Sequence, residues 1–177
     1  LGTIDIGLTY EFQNFRLLLY RQSIYDAGAL YYFANIVDGL NGVSITNTGK
    51  SKNKIQWQKI VAEVLYTKNQ GGEVWSYKPP QLYFENYFNN GYYREGWSYK
   101  GKSIGTPFIS PKGTIRDELP VAPSEYFVNN RVLACHLGVE VNISNLKLKS
   151  KMSYSRNYGT YRTAAEGRDD IGLEFPS

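Results

Sequence analysis

Apolar and polar residues alternate with a period of two over long stretches of this chain. In the run from Asn130 to Arg156, Leu133, Cys135, Leu137, Val139, Val141 and Ile143 fall on one face of a strand. Ala134, His136, Gly138, Glu140 and Asn142 fall on the other. After Ser144-Asn145 the alternation resumes, with Leu146, Leu148, Met152 and Tyr154 set against Lys147, Lys149, Lys151, Ser153 and Ser155. Each half is about twice the length of an ordinary soluble strand. A two-residue turn places Ile143 opposite Leu146, Val141 opposite Leu148 and Leu137 opposite Met152. On the other face it places Glu140 opposite Lys149 and Asn142 opposite Lys147. One register satisfies both faces, so the stretch predicts an antiparallel hairpin.

The same periodicity opens the chain. From Thr3 to Phe12, Ile4, Ile6, Leu8, Tyr10 and Phe12 alternate with Thr3, Asp5, Gly7, Thr9 and Glu11. Gln13-Asn14 reads as a tight turn, and Phe15 to Gln22 as the returning strand. Its Phe15, Leu17 and Leu19 share one face and Arg16, Tyr20 and Gln22 the other, with Leu18 the exception. Leu30 to Ile36 predicts a further strand, carrying Tyr31, Tyr32 and Phe33. Asp38 to Gly42 predicts a turn, because Asn41-Gly42 is the strongest two-residue hairpin signal, and Val43 to Asn47 a strand. In the long strand expected from Lys54 to Lys68, Ile60, Ala62, Val64 and Tyr66 are in one phase. Ile55 and Trp57 are in the phase of Lys59, which predicts a bulge near Gln58. The count is about seven strands.

Asn69 to Tyr126 breaks the pattern. It holds every proline except Pro176, and a dense Tyr/Trp/Asn/Arg run from Tyr83 to Phe108. A loop of this length is expected to be functional, and its aromatics argue against disorder. The short turns at 13–14 and 144–145 fall on one side of the strands and this loop on the other.

The 177 residues are enough for one domain. No run approaches 18 consecutive apolar residues, so no transmembrane helix is expected. Strands that are apolar on one face and fully charged on the other instead predict an all-β fold, an antiparallel transmembrane β-barrel. Its apolar face would meet lipid, while His136, Glu140, Lys147, Lys149, Lys151 and Arg16 would face a wet lumen. The net charge of +4 is modest and the cations are scattered, which gives no nucleic-acid footprint. Cys135 is the only cysteine and reads as a small hydrophobe on the apolar face. The chain starts at Leu1 and stops after a loop-like run at Phe175-Pro176-Ser177, so a piece of a longer, processed protein is expected.

Catalytic residues, metal ligands and cofactor motifs are not indicated, and no enzyme is expected. His136 lies beside Ser153 across the hairpin, but Glu140 is too far along the same strand to complete a triad, and no nucleophile-elbow sequence is present. His136 and Cys135 point to opposite faces and cannot share an ion. Glu85 and Glu95 could be posed as a glycosidase pair, since two carboxylates suffice for that chemistry, but loops carry spare carboxylates routinely. The richer signal is the stretch from Tyr83 to Tyr99. Flat aromatic faces bury the C–H faces of sugar rings while a few Asn, Glu and Arg side chains satisfy hydroxyls. Glu85, Asn89, Tyr92, Tyr93, Arg94, Trp97 and Tyr99 are the candidate polysaccharide-binding residues. Tyrosines that form an interfacial girdle or pack the loop into a barrel mouth would look the same.

Tyr83-Phe84-Glu85-Asn86-Tyr87, Gly91-Tyr92-Tyr93-Arg94, Gly96-Trp97 and Gly101 to Pro107 resemble the capsule-assembly Wzi family of Gram-negative outer membranes. Asp5-x-Gly7-x-x-Tyr10, Asp38-Gly39-Leu40 and the run from Tyr154 to Tyr161 agree in order. The resemblance implies a bacterial outer-membrane barrel of about eighteen strands. Residues 1–177 would be its C-terminal portion, with an extracellular loop at about 69–126. It also implies a lectin-like role in holding capsular or surface polysaccharide, carried by Tyr92, Tyr93, Arg94 and Trp97. The implied partners are that glycan, outer-membrane lipid and lipopolysaccharide, and other outer-membrane proteins. A porin-like or solute-transport channel, with the lysines and Arg16 lining its lumen, is the alternative. A soluble β-sandwich is the structural rival.

Overall fold

A computed structural model of the chain describes residues 2–26, 35–50, 53–70, 87–93, 95–118, 121, 123–161 and 163. Its strands, in chain order, are β1 (Gly2–Glu11), β2 (Phe15–Tyr25), β3 (Gly39–Asn47), β4 (Ile55–Tyr66), β5 (Ser98–Tyr99), β6 (Lys102–Ser103), β7 (Ser110–Pro111), β8 (Phe127–Asn129), β9 (Val132–Ile143) and β10 (Leu146–Asn157). The six long ones form one antiparallel sheet in the order β1-β2-β3-β4-β9-β10, while β5-β6 and β7-β8 are separate small ribbons. Among the described residues this sheet is open, with β1 and β10 at its two edges. No described helix is long and apolar enough to cross a membrane, which says nothing of a β-barrel.

The hairpin register is the one the alternation dictates: Ile143 pairs with Leu146, Val141 with Leu148, Leu137 with Met152, Glu140 with Lys149 and Asn142 with Lys147. The bulge is also where the phase change places it. Pairing of β4 with β9 slips between Trp57 and Lys59, so Trp57 and Ile55 face Val141 and Ile143 on the same side as Ile60, Ala62 and Val64. The tight turn at Gln13-Asn14 and the one at Ser144-Asn145 lie at the same end of the sheet, and the segment from Thr67 to Arg131 leaves from the other.

Two expectations need correction. Asn41-Gly42 is not a turn, because β3 starts at Gly39 and runs through it. Gly42 is paired with Tyr20 on one side and Glu63 on the other. The Tyr20 ring occupies the space a side chain would need at Gly42, and its hydroxyl donates to Glu63 Oε1. The glycine thus serves a cross-strand aromatic, a role invisible in its own strand's sequence. The actual turn comes earlier, where Asp38 N–H donates to the Asn35 carbonyl at 2.8 Å. Asn35 to Val37 form that turn and not the end of a strand, and residues 30–34 of the expected strand lie outside the described residues.

Pairing sorts the side chains onto two faces. One carries Ile4, Ile6, Leu8 and Tyr10, then Leu17 and Leu19, Val43 and Ile45, the apolar series of β4 and β9, and Leu146, Leu148, Met152 and Tyr154. Every one of the exposed large hydrophobics within the six strands belongs to this face, with Ile6 and Met152 each 67% exposed. Aromatics mark its ends: Tyr10, Phe15 and Trp57 towards the short turns, Tyr25, Tyr66 and Tyr154 towards the loop. The buried core lies on the other face. Tyr87, Phe88, Ile109 and Phe127 from the loop pack there on Val132 and Ala134, with Ile24 and Leu65 beside them. A sheet in water normally buries its apolar face; this one covers its other face and leaves the apolar one open.

Candidate functional site

The loop is fixed to the sheet by buried polar groups. Asp38, 1% exposed, accepts the Asn69 N–H through Oδ1 at 3.0 Å. Its Oδ2 accepts the Gln70 N–H at 2.6 Å and the Tyr87 hydroxyl at 2.8 Å. Burial pushes this carboxyl above the usual carboxylate range, against the three donors and the nearby Arg131 charge, which favour the anion. Gln70, in the left-handed region at φ +48°, donates through Nε2 to the Thr67 carbonyl at 3.1 Å and the Asn130 carbonyl at 3.0 Å. Thr67 Oγ1 in turn donates to the Asn130 carbonyl at 2.7 Å. Arg131 lies 3.9 Å over the Tyr161 ring and donates to the Lys68 carbonyl. A few backbone bonds, such as Thr67 N–H to the Val132 carbonyl at 2.9 Å, continue into this junction, and side chains satisfy further backbone groups.

Asn89 and Asn90 then shape the tip. Asn89 Nδ2 donates to the Phe127 carbonyl at 2.8 Å, and its Oδ1 accepts the Tyr126 and Phe127 N–H groups at 3.1 and 2.8 Å. Asn90 Oδ1 accepts the Tyr92 N–H at 2.9 Å and the Tyr93 N–H at 3.3 Å, an Asx turn. Its Nδ2 donates to Asp26. The turn leaves Tyr92 94% exposed, with Tyr93 also exposed. The β5-β6 hairpin reverses through Lys100 and Gly101, both at positive φ, and exposes Tyr99 with the Lys100 ammonium 5.4 Å from its ring centre.

The expected polysaccharide-binding residues therefore divide. Tyr92, Tyr93 and Tyr99 stand outward on one short stretch of the loop. Trp97 turns inward, edge-on to Phe88 at 6.1 Å, and its Nε1 is buried with no hydrogen-bond acceptor among the described residues. The Asn89 amide is committed to the backbone around β8. Glu85 and Arg94 lie outside the described residues.

The residues expected to line a lumen share the covered face. His136 Nδ1 is 2.7 Å from Ser153 Oγ, while Glu140 sits four positions along β9, about 13 Å away at strand rise. Glu140 instead pairs with Lys147 at 2.5 Å and Lys149 at 3.3 Å. Arg16 pairs with Glu11. Among the described residues no cluster of His, Cys, Asp or Glu could hold a metal ion. The sequence marks Asp38 only as a turn residue and part of a motif, and gives Thr67, Gln70 and Asn130 no role, because none carries a spacing pattern; the one signal was a polar residue at each strand-to-loop junction.

No family model, curated protein or solved structure matches this chain.

Proposed function

We propose that the chain is part of an outer-membrane β-barrel whose outward loop engages surface polysaccharide, as the resemblance to the capsule-assembly Wzi family implies. The observation that carries the reading is the open apolar face. It extends across six strands, far beyond the few hundred Å² that a water-soluble surface tolerates, and the loop core packs on the opposite side. From Ile143 to Leu133 this face runs about 33 Å along β9, or about 25 Å along a membrane normal at a tilt of about 40°, the height of a barrel's apolar band. Aromatic rings at both ends of an aliphatic middle fit two interfacial girdles. The asymmetry of short turns and one long loop supports an outward-facing loop, with Tyr92, Tyr93 and Tyr99 at its tip.

In this reading the three exposed rings stack on sugar faces, and the inward residues keep the loop rigid. Retention of purified capsular polysaccharide by the detergent-solubilised protein tests it. Tyr92→Ala with Tyr99→Ala is expected to weaken retention about tenfold or more. Unchanged retention overturns the assignment to the tip. Lys147, Lys149 and Lys151 along one face of β10 favour a second reading, an anion-passing channel, and steady planar-bilayer conductance would select it.

A further inference from the structure

Beneath the loop lies a cavity of about 560 Å³, within the about 300–1,000 Å³ of small-molecule sites. The sheet supplies its floor with Glu63, His136 and Lys151, and the loop supplies its roof with Phe88, Trp97 and Phe108. The floor and roof differ in chemistry, and the floor's polar groups are unequally used. Glu63, the one carboxylate on the floor, already accepts the Tyr20 hydroxyl. His136 meets Ser153 through Nδ1, and its Nε2 makes no hydrogen bond among the described residues. Lys151 makes no ion pair among the described residues, in contrast to Lys147 and Lys149, which share Glu140. Trp97 lines the roof with its ring, its Nε1 buried without an acceptor among the described residues.

Two groups able to bind an anion, His136 and Lys151, therefore lie opposite aromatic walls. A ligand that fits must bring acceptors, an anionic group for Lys151 and a ring with an apolar face for Trp97 and the phenylalanines. We propose that this cavity binds a carboxylated monosaccharide unit, a hexuronate, with its carboxylate at Lys151 and His136 and its ring under Trp97. The inference rests on the saccharide-binding reading and adds to it an inner subsite and a ligand class.

Isothermal titration of the detergent-solubilised protein with glucuronate, glucose and acetate is the test. Glucuronate is expected to bind saturably, with glucose and acetate each about tenfold or more weaker. Lys151→Gln, at an exposed strand position, is expected to weaken glucuronate by about tenfold with the loop still resistant to protease. Trp97→Phe keeps a ring against Phe88, shrinks the aromatic wall by the fused five-membered ring with its N–H, and is expected to weaken it severalfold. Absence of glucuronate binding, acetate binding equally well, or indifference to Lys151→Gln overturns the proposal. The outer reading fails separately: glucuronate binding together with polymer retention indifferent to Tyr92→Ala and Tyr99→Ala keeps the cavity and removes the tip.

Discussion

In the six-stranded sheet, Ile6, Leu8, Leu146 and Met152 stand more than half exposed; in the loop, Tyr87, Phe127 and Ile109 are sealed to 1% or less. The two regions also differ in what satisfies their backbone. The sheet relies on continuous ladders between neighbouring strands. The loop relies on Asp38, Gln70 and Asn89, whose side chains reach backbone groups far away in sequence, Gln70 donating to the Asn130 carbonyl. The loop is built as a small water-soluble core, with apolar residues in and polar groups paired. The sheet presents its apolar residues outward and owes its order to hydrogen bonding and to whatever medium meets that face. Apolar residues thus have opposite roles within a single chain.

The comparison can be broken at its strongest point first. Asp38→Ala leaves the Asn69 and Gln70 N–H groups and the Tyr87 hydroxyl without their acceptor, and should cost the loop about 3–5 kcal/mol. Protease cleavage between residues 87 and 131, with strand circular dichroism retained, is the expected outcome; joint loss of both would mean that sheet and loop are one unit. Met152→Arg should cost about 2–4 kcal/mol in lipid vesicles if that face meets the membrane. Denaturant unfolding that shifts by less than about 0.5 kcal/mol, as for an ordinary water-exposed site, would count against the proposal. Asn89→Ala should cost about 1–2 kcal/mol, seen as faster amide exchange at Tyr126 and Phe127 with β9 and β10 unaffected.

The sheet was largely legible because its information is local and repeated. Each dyad reports which face a residue takes, and the hairpin turn fixes the register of Lys149 against Glu140. Even the bulge was legible, since without it Trp57 and Ile55 would share a face with Lys59. What escaped was whatever depends on a neighbour that is distant along the chain. Gly42 carried a turn signal in its own segment, and only the Tyr20 ring crossing it explains a glycine in mid-strand. The pairing of β4 with β9 bridges the whole loop and leaves no trace in either strand alone. The loop core has no period, so Tyr87 and Phe127 could not be separated from Tyr92 and Tyr93 by sequence. The same limit applied to Asn89, which looked like a sugar ligand and is a backbone clamp.

The extra residue at Gln58 has a consequence for how β4 can be recognised. Its two halves are written in opposite parity, so a hydropathy average taken over the full strand cancels itself. In space the halves add, and Ile55, Trp57, Ile60, Ala62 and Val64 form one unbroken row. A reader that assumes constant phase would discard this strand as two-sided and polar. Allowing a single slipped position recovers a row that carries an indole ring next to its turn end.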